Sequence, residues 1–201
     1  MALVFMSVGG ALPFAQKDVI QRRILPVSIA LTVIGSGIGA AILLNISTKT
    51  LQLAIALAMI TVAIFSLTKR DGGTTQRSIS PTSQAGGYLA TFVLAVYGGF
   101  FSGGYVTMLT AVFVLLFGLT FLQAVATTKV INIFSSLVAA AIFAWRGVLD
   151  YKLGFVLGVT MFVGAVVGGH IAARLPTPWL RRVFLVAVFA LSARMLFDFH
   201  R

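Results

Sequence analysis

The run Ile24–Leu44 contains no charged side chain, and about twenty apolar residues are what a helix needs to cross the hydrocarbon core of a bilayer. Leu51–Leu67, Leu122–Trp145, Leu153–Ala173 and Val183–Phe197 repeat the pattern, and Ala2–Phe14 is a shorter apolar piece. Backbone polar groups in lipid must be satisfied internally, which helices do within their own length. These runs predict an all-α polytopic membrane protein with about 6–7 membrane segments. Composition points the same way. Charged residues make up 9% of the chain, where a soluble domain carries roughly 25%, so the polar groups are too few to coat a surface facing water.

The net charge of +11 raises nucleic acid as a partner, but the basic residues sit mainly in short loops between apolar runs, the pattern of membrane flanks. Membrane lipid is the expected contact, and no nucleic acid is. The acids are Asp18, Asp71, Asp150 and Asp198, all in loops or near ends. They offer no paired carboxylates, no Ser–His–Asp set and no buried acid for cation coupling, so an enzyme is not expected. The absence of cysteine excludes thiolate metal sites, and nothing in the sequence implies a cofactor.

One stretch breaks the apolar pattern. Tyr97–Thr107 carries Gly98, Gly99, Gly103 and Gly104 together with Ser102 and Thr107. Each glycine weakens a helix by about 1 kcal/mol relative to alanine, and broken backbone in a membrane is tolerated only where protein or a wet cavity surrounds it. A broken helix exposes N–H groups that favour anions. The next apolar run contains Thr127-Thr128-Lys129-Val130-Ile131-Asn132. A cation inside a membrane segment is costly and marks a functional site by default, although a lysine about two turns from a helix start can also snorkel to the interface. Gly99, Ser102, Gly103, Gly104, Thr107, Thr128, Lys129 and Asn132 are therefore the candidate binding residues, and a small anion is the ligand class they fit. The pairs Gly35/Gly39 and Gly164/Gly168 read instead as close helix packing. His170 reads as a histidine packed at a helix interface.

The chain also repeats itself. Residues 1–70 align without a gap with residues 130–199, matching Phe5 with Phe134, Ser7 with Ser136, Phe14 with Phe143, Gly35 with Gly164 and Gly39 with Gly168. The organisation read from this is a partial first transmembrane repeat over 1–67, a polar linker over 68–87 and a second repeat over 88–199. Met1 aligns with Val130, so the first repeat has no counterpart of Tyr88–Lys129 in this sequence, and the expectation is that one to two N-terminal membrane segments are missing. If Tyr88–Gly118 turns back as a re-entrant pair, each repeat crosses three times and the halves are inverted. If it crosses, they are parallel.

Gly98-Gly99-Phe100-Phe101-Ser102-Gly103-Gly104, then Ala124–Asn132, Gly147-Val148-Leu149-Asp150, Gly164–Gly169 with Arg174, and Leu180-Arg181-Arg182 resemble, in order and spacing, the TauE/SafE sulfite-exporter family, also called the TSUP anion permeases. The resemblance covers roughly residues 1–70 and 88–199. It implies a multi-pass permease of the cell membrane, in bacteria the inner membrane, moving small anions such as sulfite or organosulfonates, with a homo-oligomer left open. The incomplete first repeat keeps a second reading alive, a non-transporting membrane fragment or subunit that packs with a full-length partner.

Overall fold

The computed structural model describes residues 1–15, 19–46 and 78–174, with positions 179 and 186. The expected span Leu51–Leu67, Val183–Phe197 apart from position 186, and the first half of the linker, 68–77, lie outside the described residues. Within them the chain is helical: α1 (Ala2–Ala15), α2 (Leu25–Asn45), α3 (Pro81–Phe100), α4 (Tyr105–Leu116), α5 (Phe121–Trp145) and α6 (Tyr151–Arg174).

Local chemistry sets the helix ends. Pro26, in the first turn of α2, and Pro81, in that of α3, lack N–H groups that would have no helical partner there. Ser80 caps α3 by accepting from Ser83 N. α5 opens with a reciprocal box in which Thr120 Oγ1 accepts from Gln123 N and Gln123 Oε1 accepts from Thr120 N. It closes on Gly147 at φ +67°, where Val148 N reaches Phe143 O and Gly147 N reaches Ala144 O. That is the glycine-terminated helix end in which a left-handed residue lets two orphan carbonyls be satisfied. Asp150 then caps α6 through Leu153 N at 2.9 Å. The Gly147–Asp150 turn thus stops one helix and starts the next. α3 begins at Pro81, inside the stretch read as linker.

Three of these helices, α2, α5 and α6 as far as Ile171, are individually long and apolar enough to cross a membrane. That is fewer than the six to seven segments expected from sequence: two of the expected spans lie outside the described residues, and within them three helices fall short for physical reasons. α1 has 14 residues. The polar first turn of α3, Thr82-Ser83-Gln84, dilutes its apolar content. α4 has 12 residues, about 18 Å of helix against a hydrocarbon core of about 30 Å.

Contacts give the directions of the helices. α1 and α6 run parallel, since Met1 lies by Gly154, Phe5 by Gly158 and Pro13 by Gly169. α2 and α3 run parallel, with Gly35 against Phe92 and Ala95 and Gly39 against Val96 and Gly99. α1 and α5 run antiparallel, with Phe14 packed on Ala126, Gly10 beside Lys129 and Ser7 bonded to Asn132. α2 and α5 run parallel, from the cluster that holds Ile24 and Ala124 to the contact of Gly37 with Val138. α3 and α4 form a hairpin. Ser83 Oγ donates to Leu116 O at 3.2 Å, and the Tyr88 and Phe117 rings meet edge to face at 5.0 Å. The hairpin therefore starts and ends at the same end of the bundle, as a re-entrant pair does.

Helices aligned by the sequence repeat consequently point in opposite directions: α1 against α5, and α2 against α6. The relation holds between single residues. A Cβ placed on Gly9 would lie 3.2 Å from Val166 Cγ2, and one placed on Gly37 would lie 3.7 Å from Val138 Cγ1. The alignment that pairs Met1 with Val130 pairs Gly9 with Val138 and Gly37 with Val166, so one contact is the image of the other.

The bundle end where α2, α3 and α5 begin carries Arg22, Arg23 and Arg174. Arg146 and Lys152 mark the opposite end. Lysine and arginine accumulate on the cytoplasmic side. In intact cells, a cysteine placed at exposed Lys152 is expected to react with a membrane-impermeant maleimide, and one at exposed Arg23 only after the cells are opened. The native chain has no cysteine to confuse the readout. The reverse pattern would invert this orientation.

Candidate functional site

The candidate residues fall into two groups joined by one core. The first is the break between α3 and α4. Phe101–Gly104 leaves the helix, with Gly104 at φ +78° as the residue before α4, a backbone geometry that glycine adopts without strain. The Tyr97 hydroxyl donates to the Gly103 carbonyl across the turn. Gly98 lets the Tyr105 ring lie flat on α3, since a Cβ there would sit 2.7 Å from that ring. Gly99 faces away from the turn. Its would-be Cβ points at the Ser36 backbone, 2.7 Å from Ser36 Cα, so the structure places it in the α2–α3 seam. Ser102, Gly103, Gly104 and Thr107 are half-buried at the break and the first turn of α4.

The second group is the crossing of α1 and α5. Lys129 lies about 12 Å along α5 from its start, and its chain passes over Gly10 of α1. The position of a Gly10 Cβ is 3.4 Å from Lys129 Cδ and 3.6 Å from both Cε and Nζ. These are ordinary van der Waals distances, so the lysine stem packs along α1 at Gly10. Asn132, one turn on and 2% exposed, donates to Ser7 Oγ at 2.7 Å, and Ser7 Oγ donates in turn to Leu3 O at 2.7 Å. Thr128 is fully buried and its hydroxyl has no hydrogen-bond partner. Thr127 Oγ1 accepts from Gln21 N at 3.2 Å, which ties the α1–α2 connection to α5. The one carboxylate among the described residues, Asp150, belongs to the turn at the far end of α5.

Tyr105 from the first group and Ile131 from the second are both fully buried in the same cluster. Sequence reasoning missed Ser7 and Gly10, which complete the crossing. It also missed three fully buried hydroxyls: Ser28 on α2, which has no partner, and Thr32 of α2 and Tyr105 of α4, which neighbour one another. A polar group buried this way is costly, and such groups were detectable as hydroxyls in apolar runs. His170 departs from its expectation. It is exposed on α6, with its Nδ1 2.9 Å from its own helix's Val166 O, because no described helix packs on that side.

The Ser7–Asn132 bond is a side-chain pair linking α1 to α5 in the interior. Side-chain hydrogen bonds between membrane helices contribute about 0.6 kcal/mol on average. Ser7→Ala is expected to lower stability by that order in detergent-micelle unfolding, and Asn132→Leu to cost no more than Ser7→Ala, since leucine leaves no unpaired amide. A larger loss in the Ser7 variant would mean that the hydroxyl holds more than Asn132.

This is a multi-pass, all-α membrane protein whose helices cross at small residues, bury several hydroxyls and hold a half-buried lysine at one crossing. The family described as Sulfite exporter TauE/SafE matches residues 1–195, and the chain belongs to that family. Its relatives include a "Probable membrane transporter protein" of Haemophilus influenzae, 24% identical over 96% of this chain and 77% of the relative. Another is the "Probable membrane transporter protein YfcA" of Escherichia coli K12, 23% identical over 96% of this chain and 72% of the relative. A third, "Probable membrane transporter protein ORF9" of a Sinorhizobium species, is 24% identical over 97% and 75%. No solved structure matches the chain significantly. Family and relatives together indicate a membrane transporter.

Proposed function

We propose that the chain is a secondary permease for small oxyanions, with sulfite and organosulfonates as the substrate class, and that it catalyses no chemical reaction. The observation that carries this reading is the half-buried lysine at the α1–α5 crossing. Lys129 packs beside Gly10 and faces no described carboxylate; the preceding residue, Thr128, has a hydroxyl without a hydrogen-bond partner, and Asn132 follows one turn on. An ammonium in such a place is left with its charge uncompensated, and an oxyanion supplies the missing negative charge together with acceptors for the neighbouring donors.

In this role Lys129 neutralises the anion, while Thr128 and the second N–H of Asn132 donate to its oxygens. The broken backbone at Ser102, Gly103 and Gly104, with Thr107 in the first turn of α4, offers free N–H groups and a hydroxyl on the other side of the shared core. Gly99 contributes indirectly, by letting α3 approach α2. The name of the matched family supports sulfite as the first anion to try. The test is uptake of labelled sulfite into liposomes containing the purified chain, compared with protein-free liposomes. Uptake that saturates and is competed by an organosulfonate is expected. Background flux for both anions would overturn the proposal.

A further inference from the structure

α6 presents to the outside a notch that its repeat equivalent keeps filled. Gly35 and Gly39 on α2 correspond to Gly164 and Gly168 on α6. On α2 the pair is occupied by α3. A Cβ on Gly35 would lie 2.8 Å from Ala95 Cβ and 2.9 Å from Phe92 O, and one on Gly39 would run into the Val96 carbonyl and the Gly99 Cα, the latter at 3.0 Å. Gly164 and Gly168 are exposed, and among the described residues a Cβ on either would meet nothing within 4 Å. The difference extends to the whole span: 6% of the α6 window is buried, against 33% of α2. The mirrored contacts of Gly9 with Val166 and Gly37 with Val138 show that α6 sits on α1 as α2 sits on α5. The place on α6 that corresponds to α3 is therefore defined residue by residue.

We propose that the Gly164/Gly168 face of α6 is the seat of a membrane helix of the α3 kind, the first-repeat counterpart of α3 in a family-length chain. That helix runs parallel to α6 and carries small residues four apart, as Ala95 and Gly99 do. Two observations fix the occupant. The equivalent notch in this same molecule holds such a helix, in backbone contact that only small residues on both sides permit. The relatives extend beyond the match, which covers 72% to 77% of their length, leaving chain enough for a helix of this size. The proposal is independent of which solute the protein carries.

The test uses the purified full chain in bicelles and, as probe, a fluorescent peptide of residues 78–104, which contains α3. Energy transfer from a donor on Lys152→Cys reports binding. Saturable binding is expected, weakened at least about tenfold, or 1.4 kcal/mol, by Gly164→Leu with Gly168→Leu and equally by Ala95→Leu with Gly99→Leu in the peptide. Val163→Leu, exposed on another side of α6, should leave it unchanged. The leucine variants should unfold like the native chain, because the notch they fill is open. Binding that survives both glycine substitutions places the peptide elsewhere and overturns the proposal. So does an absence of binding, which leaves the face to lipid, and so does a notch-dependent homodimer that excludes the peptide, which makes a second copy the occupant.

Discussion

Lys129→Ala is expected to reduce sulfite flux by about ten- to a hundredfold, since a hydrogen bond to a charged group is worth roughly 1.5–3 kcal/mol. The effect should fall on transport and not on assembly. Removing a cation from a membrane helix makes insertion easier. Lys129→Arg keeps the charge but carries a larger, planar head, so partial flux is expected. Flux is to be read in liposomes at matched protein content, with unfolding of each variant measured alongside. Native flux in Lys129→Ala would remove the lysine from the binding site. Lost flux accompanied by lost folding would make it structural.

The second large effect concerns Gly39. Its would-be Cβ faces backbone, not side chain, with the Val96 carbonyl and the Gly99 Cα in its way. Backbone cannot rotate aside, so Gly39→Ala must push α2 and α3 apart, at a cost of about 1–3 kcal/mol or more. Gly99→Ala meets the Ser36 backbone from the other side and should behave alike. Gly168→Ala, the repeat equivalent of Gly39→Ala, meets open space and should change stability by less than about 0.5 kcal/mol. Unfolding in mixed micelles compares the two directly. Equal stabilities for the Gly39 and Gly168 variants would contradict the close α2–α3 contact.

How much of this was legible in the sequence depends on the range of the interactions. Apolar runs are local, and they placed α2, α5 and α6 to within about two residues at either end. The Tyr97–Thr107 glycines announced a break, which the structure puts between Phe100 and Tyr105. The start of α3 at Pro81 was missed although Ser80-Pro81 is a helix-start signal, because serine, threonine and glycine around it read as linker. Gly35 and Gly39 were read as packing residues and do pack. Gly99 was assigned to the site, and its position against Ser36 could not be read from spacing alone. Ser7 and Gly10 were invisible for the same reason. Their importance comes from Asn132 and Lys129, on a helix that only the folded chain brings alongside.

The α2–α3 seam has a mechanical consequence. Two helices in backbone contact at Gly35, Gly39 and Gly99 have no compressible side chains between them, so they can neither slide nor tilt independently without a clash. They move as one rigid beam. Relative motion in such a bundle must be taken up where flexible side chains fill the gap, and the α1–α5 crossing, spanned by the Lys129 chain over Gly10, is such a place. The shear plane of the molecule would then run through the lysine itself, so that a rearrangement of the bundle and a change in the surroundings of that charge are one and the same event.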